Sequence, residues 1–586
     1  MGTQPASVLP DDVLLMVLAA ADKSDVARMM RVCRLFYAAG PKAILRTPVT
    51  ISSDEDLTRF LTFLYAEGTR RSRFVRSVDV NVQVLNPGPA PWSDMLGNDP
   101  DHEGPKPAVR ERFRQLGIAL AGMTHLTSLS VTVRSSQELD ELLTLLEDSD
   151  SDAGKANGKG LYGALRSLAL DVPVSLLNLE TADRLRVGLL RMAHVRTLCL
   201  LDTASDLLYG ARPDLASAFT AMPAIQSLYM TSLVHGDSEE IRKLKTLRSR
   251  LVSTSLIFLP PMRHLAGTTV PEPPPDLHPI EILSHSRETL RELRSTEWYT
   301  RPDVLPDPSI VYPKMRRLGL YYAGLPLTMA YIRAYPNLAY LEYSTREGQS
   351  PSHDSLSVQL YDERRGVNVA AQILSGRTWA HLEEFRGTLA DLYMLGLTCH
   401  IDQIHLRLGP DELGYQLDPV LSHARPRYLE LSQERPKRFT YNLDFPEHLP
   451  DAVPEAVRQV FAALHGDGGS RLECLRMAFD FGCIAQGIIY VDVPAVMEGL
   501  AASLSSSPLQ DLQVVISLTS ADPRLYGCPL WPAERAAQDF DLNEWMCGLG
   551  TTIATLRTAQ VVFDGPRGMR RTVTLESGQV RYEDWP

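Results

Sequence analysis

The chain has 586 residues, 44% hydrophobic, with 59 basic and 71 acidic residues and a formal net charge of −12 at pH 7. That is the composition of a folded soluble protein of about four domains at ~150 residues each, and its acidic balance argues against a nucleic-acid binder, which needs basic stripes to meet phosphates. No run approaches the ~20 apolar residues of a membrane span, no basic-then-apolar secretory order opens the chain, and seven scattered cysteines without a CxxC spacing suit a reducing compartment, cytoplasmic or nuclear.

The first element opens at Leu9-Pro10-Asp11-Asp12. Proline suits a helix's first turn, and the two aspartates put negative charge at its positive end. Val13, Leu14, Val17 and Leu18 recur at helical spacing. Asp22 and Ser24 interrupt and can cap a second helix, whose apolar face is Val26, Met29, Met30 and Cys33, followed by Phe36 and Tyr37. Gly40-Pro41 is expected to stop it. About forty residues cannot bury much core alone, so this head, residues 1–46, is expected to need a partner surface.

The body, residues 47–586, starts with a strand at Thr47–Ser52, a helix carrying Leu57, Phe60, Leu61, Leu64 and Tyr65, and a strand with Val75, Val78, Val80 and Val82. Strand, helix, strand implies a parallel pair. An apolar-x-x-apolar-x-apolar core then recurs from Leu126, Leu165, Val195, Ile225, Met315, Leu338, Ile401, Leu472 and Leu509, with weaker copies from Leu290, Leu382 and Ile553. Three residues before many of these stands a large side chain: Met123, Tyr162, Met192, Met222, Tyr312, Tyr335 or Trp379. A small residue or proline follows each, so a bulky plug and a tight turn end each helix and aim the chain into the next strand. Helical stretches lie between, such as Leu139/Leu142/Leu143/Leu146 and Val457/Val460/Phe461/Leu464. The stretches 86–107, 148–160 and 260–279 read as Pro/Gly-rich loops. Thr572–Leu575 and Gln579–Tyr582 flank Glu-Ser-Gly, the mark of a C-terminal hairpin that caps an open sheet edge.

The head resembles an F-box: Leu9-Pro10 with acidic Asp11-Asp12, the aliphatic Val13-Leu14-Leu15 and Val17-Leu18, Asp25-Val26, then Val32-Cys33 before Phe36-Tyr37. The tryptophan that family often carries near Phe36 is absent. The body resembles an irregular leucine-rich-repeat solenoid, although its intervals are uneven, 30 residues from Leu165 to Val195 and again to Ile225 but 23 from Met315 to Leu338 and 39 from Leu126 to Leu165, and the family's asparagine is missing. The resemblance implies an α/β chain: a short all-α F-box, then a curved solenoid with parallel strands inside and helices outside. It also implies a noncatalytic substrate receptor of a Skp–cullin–F-box ubiquitin ligase. A Skp-family adaptor, and through it a cullin, would be held by Leu9, Pro10, Val13, Leu14, Val17, Leu18, Val26, Val32 and Cys33. A binding scaffold without ligase assembly, a doubly wound sheet and an enzyme on that sheet remain as alternatives.

For chemistry the sequence offers little. Gly154–Gly160 lacks the Gly-Lys-Ser/Thr ending of a phosphate loop, and Cys399-His400 with His405 falls short of four zinc ligands, so neither cofactor nor metal is expected. Ile241–Leu251 reads as a basic, partly amphipathic helix. Residues flanking the core leucines should face the concave side. The candidate target contacts there are Tyr229, Thr231, Tyr321, Glu342, Ser344, His405, Arg407 and Arg476, types that interface centres favour for aromatics and arginine.

Overall fold

The structure, a computed structural model, describes residues 10–66, 71–81, 107–133, 139–140, 142–144, 146–147, 161–171, 179–201, 213–233, 242–258, 278–298, 305–345, 355–408, 416–433, 452–480, 492–517, 532–565 and 570–585. Leu9 and the stretches 86–106, 148–160 and 260–277, with the glycine-rich 154–160, lie outside the described residues.

Three helices make the head. α1 (Asp11–Ala20) follows Pro10, with both aspartates in its first turn. Asp22 caps α2 (Lys23–Met29) by accepting the Asp25 amide at 2.8 Å. Extended Cys33 then breaks the chain, so Phe36 and Tyr37 belong to a third helix, α3 (Arg34–Ile44). Gly40-Pro41 does not end α3, which carries Pro41 inside and runs on to Ile44. Only one turn follows the proline, so little helix hydrogen bonding is lost. The glycine gives clearance instead: a Cβ on Gly40 would lie 2.3 Å from Met30 Cγ. Leu18, Val26 and Phe36 form the head's core, with Leu14, Met29, Met30 and Ile44 packed on it.

The chain divides into two compact units, Met1–Glu272 with Ile282–Leu290, and Pro273–Glu281 with Arg291–Pro586. In the first, β1 (Val49–Ile51), β2 (Ser77–Asn81), β3 (Ser128–Thr132), β4 (Ser167–Asp171), β5 (Thr197–Leu201), β6 (Ser227–Leu233) and β7 (Ser253–Phe258) pair in chain order, all parallel. In the second, β8 (Glu292–Thr296), β9 (Arg317–Ala323), β10 (Tyr340–Thr345), β11 (His381–Thr388), β12 (His400–Leu408), β13 (Tyr428–Gln433), β14 (Cys474–Asp480), β15 (Asp511–Ser517) and β16 (Thr558–Asp564) do the same. β17 (Arg570–Glu576) and β18 (Gln579–Trp585) close that unit antiparallel, turned by Ser577 and Gly578, both at positive φ. This is an α/β chain of mostly parallel sheet. A doubly wound sheet reverses its strand order at a switch point, and neither unit does.

The repeat pattern shows why the strands align. Val78, Leu129, Leu168, Leu198 and Leu228 stand in one register column, and Val80, Val131, Leu170, Leu200 and Met230 in the next. Leu318, Leu341, Phe385, Ile404, Leu429, Leu475 and Leu512 make the matching column of the second unit. All are buried. The seven plug residues are buried too, and Trp379 Nε1 donates to the Tyr335 carbonyl at 2.8 Å. At many strand entries two successive amides converge on one carbonyl at the start of the neighbouring strand. Arg166 and Ser167 reach the Thr127 oxygen at 2.8 and 2.9 Å, and Gln510 and Asp511 reach that of Glu473 at 2.7 and 3.0 Å.

Three sequence expectations change. The copy from Ile553 starts at Leu556, because Ala559 and Val561 pair with Leu512 and Val514, and buried Ile553 takes the plug position. Of Ile241–Leu251 only Arg242 and Lys243 are α-helical among the described residues; one 3-10 turn, Leu244–Thr246, follows, and the chain then leaves the helix. Its amides are drawn elsewhere, that of Arg248 to the Thr220 carbonyl at 2.9 Å. The helix Ser355–Ser375 stands where no element was read.

Candidate interaction surfaces

The head's candidate adaptor residues divide by burial. Leu18 and Val26 sit inside its core and Leu14 packs against it, so these three hold the head together rather than offering a contact surface. Pro10, Val13, Val17, Val32 and Cys33 are exposed, Val32 by 74%. Leu15 and Met16 join them, Met16 at 71%. Sequence reasoning passed over these two by seeking one face. The signal was the unbroken apolar run Val13–Leu18, since a helix apolar all round cannot be satisfied by a one-sided core.

Arg71 ties this head to α4 (Asp54–Tyr65). Its guanidinium lies over the Tyr37 ring at 5.5 Å and the Phe63 ring at 4.7 Å. It donates to the Tyr37 hydroxyl at 3.2 Å and the Phe63 carbonyl at 3.1 Å. The grip uses α3 and leaves Val13, Leu15, Met16 and Val17 of α1 exposed.

In the second unit, the register brings several candidate target residues together. Glu342, Arg386, His405, Glu430 and Arg476 occupy successive places in one column across β10 to β14. His405 Nδ1 stands 2.9 Å from Glu430 and its Nε2 3.5 Å from Glu384, which also pairs with Arg386. The Tyr428 hydroxyl donates to Glu430 at 2.9 Å, and Arg476 lies over the Tyr428 ring at 5.5 Å. Burial opposes ionisation of Glu430, but hydrogen bonds from Tyr428 and His405 outweigh it and hold the carboxyl below its usual range. Burial, then the bond to Glu430, pushes the Tyr428 phenol up to about 12. Burial and Glu342 likewise raise Tyr321.

Tyr321, Glu342, His405 and Arg407 are half-buried and Arg476 is exposed. Ser344 is only 1% exposed: a short side chain paired with the larger Tyr321, it offers no surface. Tyr229 and Thr231, half-buried, stand apart from this set in the first unit. The equivalent column there is Asp79, Ser130, Ala169, Cys199, Tyr229 and Ser255, with one charge and, apart from Tyr229, only short side chains.

Among the described residues no three His, Cys, Asp or Glu side chains gather as metal ligands. Cys399 is buried, which pushes its thiol up to about 12, and His400 turns to the Ala424 carbonyl. Also among the described residues, no helix is long and apolar enough to cross a membrane. No family model matches the chain, and no curated protein matches it.

Proposed function

We propose that this chain is the target-receptor subunit of a Skp–cullin–F-box ubiquitin ligase, working in the cytoplasm or nucleus. The head docks a Skp-family adaptor, and through it a cullin. The body, read as an irregular leucine-rich-repeat-like solenoid, holds a target protein. One observation carries the reading: a three-helix module with the F-box order of residues keeps Val13, Leu15, Met16, Val17 and Val32 exposed. Apolar patches of this kind mark interaction sites. The chain contributes proximity rather than a catalytic group: a held target meets a conjugating enzyme elsewhere in the assembly at high effective concentration. Arg476, Tyr428, His405 and Glu342 form the target-facing surface, with the arginine and aromatic content that interface centres favour. A non-ligase scaffold is the second reading; it uses the same body without an adaptor.

The test is co-elution of the full chain with a purified Skp-family adaptor. Association at micromolar concentration is expected, and Val17→Glu with Val32→Glu should weaken it by ~100-fold or more, since charges would enter the contact. Both positions are exposed, so the variant should keep its melting temperature. No association of the wild-type chain overturns the ligase reading and leaves the scaffold.

A further inference from the structure

The strand entries of the first unit form a basic rim. Short segments lead the chain into β2 to β7: 72–77, 122–128, 161–167, 192–197, 222–227 and 246–253. They hold Arg73, Arg76, Arg166, Arg196, Arg248 and Arg250 and not one aspartate or glutamate, in a chain whose 71 acidic residues outnumber its 59 basic ones. All but Arg166 are exposed, as are His125 and His194 in the same segments. Among the described residues none of these arginines forms an ion pair. Arg166 donates to the Gly163 and Leu165 carbonyls at 3.1 and 3.0 Å, which holds its guanidinium at the end of the preceding helix. Carbonyls there lack helical partners, so the contact suits both.

The matching places of the second unit are neutralised. They carry Glu383, Asp402 and Glu473; Arg427 pairs with Glu473 at 2.7 Å, and His381 stands 3.1 Å from Asp402. A solvated edge mixes its charges in this way. The edge of the first unit is cleared of carboxylates instead, so it keeps a local positive potential. Beside its arginines runs one register column of hydroxyls: Ser77, Ser128, Ser167, Thr197, Ser227 and Ser253. These side chains are short, which leaves the guanidinium groups room, and each carries a donor that an anion can use.

We propose that this rim docks an extended acidic segment of another protein, its carboxylates taken by the arginines in turn. Strands lie ~4.8 Å apart, so the rim from β2 to β7 runs about 24 Å, the length of roughly seven extended residues. Carboxylates on one side of such a segment repeat every ~7 Å. The long side chains of Arg76 at β2, Arg166 at β4, Arg196 at β5 and Arg250 before β7 can follow that step. Guanidinium and carboxylate meet as paired, charge-assisted hydrogen bonds. A nucleic acid fits less well. Single strands stack their bases on exposed aromatic rings, and those of the entry segments are covered: Tyr162 is buried, and Phe74 is half-buried with Arg73 over its ring at 4.8 Å. A long polyanion also meets the net charge of −12 of the whole chain, whereas a short segment stays within the ~8–10 Å reach of the rim's own charges. The rim belongs to the first unit and the proposed target surface to the second. A scaffold uses it as readily as a ligase receptor does, so the proposal does not rest on the ligase reading.

Fluorescence anisotropy of labelled octaglutamate, titrated with the full chain at ~20 mM salt where surface attraction is little screened, tests it. A Kd on the order of 100 μM is expected, weakening ~10-fold or more by ~200 mM salt, and octaglutamine should not bind. Arg76→Glu with Arg196→Glu should lower the affinity ~10-fold or more, since like charges then face each other. Both positions are exposed, so the melting temperature should hold. Arg196→Lys should cost less than Arg196→Glu, because the charge stays and only the fork is lost. Arg316→Glu, at the matching place of a second-unit entry, should leave the affinity as it was. Octauridylate should bind more weakly than octaglutamate. No binding of octaglutamate up to ~1 mM, an affinity indifferent to the Arg76 and Arg196 exchange or lowered as much by Arg316→Glu, or tighter binding of octauridylate overturns the proposal. The assay contains no adaptor, and Val17→Glu in the head should leave it unchanged, which separates its outcome from failure of the adaptor reading.

Discussion

The two units share one inward pattern and differ in what they turn outward. Leu129, Leu168 and Leu198 in the first correspond to Ile404, Leu429 and Leu475 in the second: buried, in register, one strand apart. On the other face, Ser130, Ala169 and Cys199 stand where Glu342, Arg386, His405, Glu430 and Arg476 stand in the second unit. The same strand-and-helix step therefore tolerates a short, quiet face and a long, charged one. Folding draws on the inward columns and leaves the outward ones free for recognition, which is why the proposed target surface falls on the second unit.

The comparison breaks first if the inward columns are unequal. Leu198→Ala and Leu475→Ala should each cost ~2–5 kcal/mol, since each removes a fully buried side chain and leaves a cavity. Hydrogen exchange, read unit by unit during urea titration, checks this. A cost below ~1 kcal/mol, the range of solvent-facing changes, in only one unit would mean that its column does not hold the sheet.

Next in size is a buried carboxyl peculiar to the second unit. Asp391 is wholly buried. It accepts the Thr345 amide at 3.0 Å, the Thr345 hydroxyl at 2.6 Å and the Thr388 hydroxyl at 2.7 Å. Burial pushes its pKa up to about 6 despite those bonds. A folded-state pKa above the unfolded one means that stability is fullest below the unfolded pKa and is lost as pH rises through the folded one. The loss between about pH 4 and pH 6 should be on the order of 3 kcal/mol. Asp391→Asn can keep its oxygen toward Thr345 and give its amide to Thr388. The difference in urea midpoint between variant and wild type, followed against pH, should grow in the variant's favour over that window; a flat difference would show that Asp391 is not strained by burial.

Most of the inward pattern was legible because it is written in one alphabet, apolar side chains at fixed offsets. Where another residue type takes a place, the strand vanishes from the sequence. β7 was missed because Thr254 stands in the column of Leu228, and β13 because Pro426 occupies its first core position. Helix Ser355–Ser375 was missed because its polar side is the buried one, so its pattern reads as solvated on the wrong face. The site residues were less legible still. Leu18 and Val17 look alike in sequence, and only the packing of α1 on α2 and α3 separates core from surface. Ser344 reads as a strand-face residue, yet short side chains beside long ones end up covered.

The smallest effect lies on the charged face itself and runs opposite in pH to that of Asp391. Glu430 is held ionised by Tyr428 and His405, so its folded pKa is depressed. Its stability contribution is therefore present above the unfolded pKa of ~4.3 and lost as pH falls through the lower folded value. Half-exposed pairs of this kind are screened by solvent, so Glu430→Gln should cost only ~0.2–1 kcal/mol at neutral pH. The cost should shrink toward zero in acid, as read by urea unfolding at pH 7 and near pH 3. Ser130→Ala, at the matching place in the first unit, should change nothing measurable at either pH. If Glu430→Gln proves as neutral as Ser130→Ala at pH 7, the charged column contributes nothing to the fold. Its five side chains would then stand free to be spent wholly on a partner.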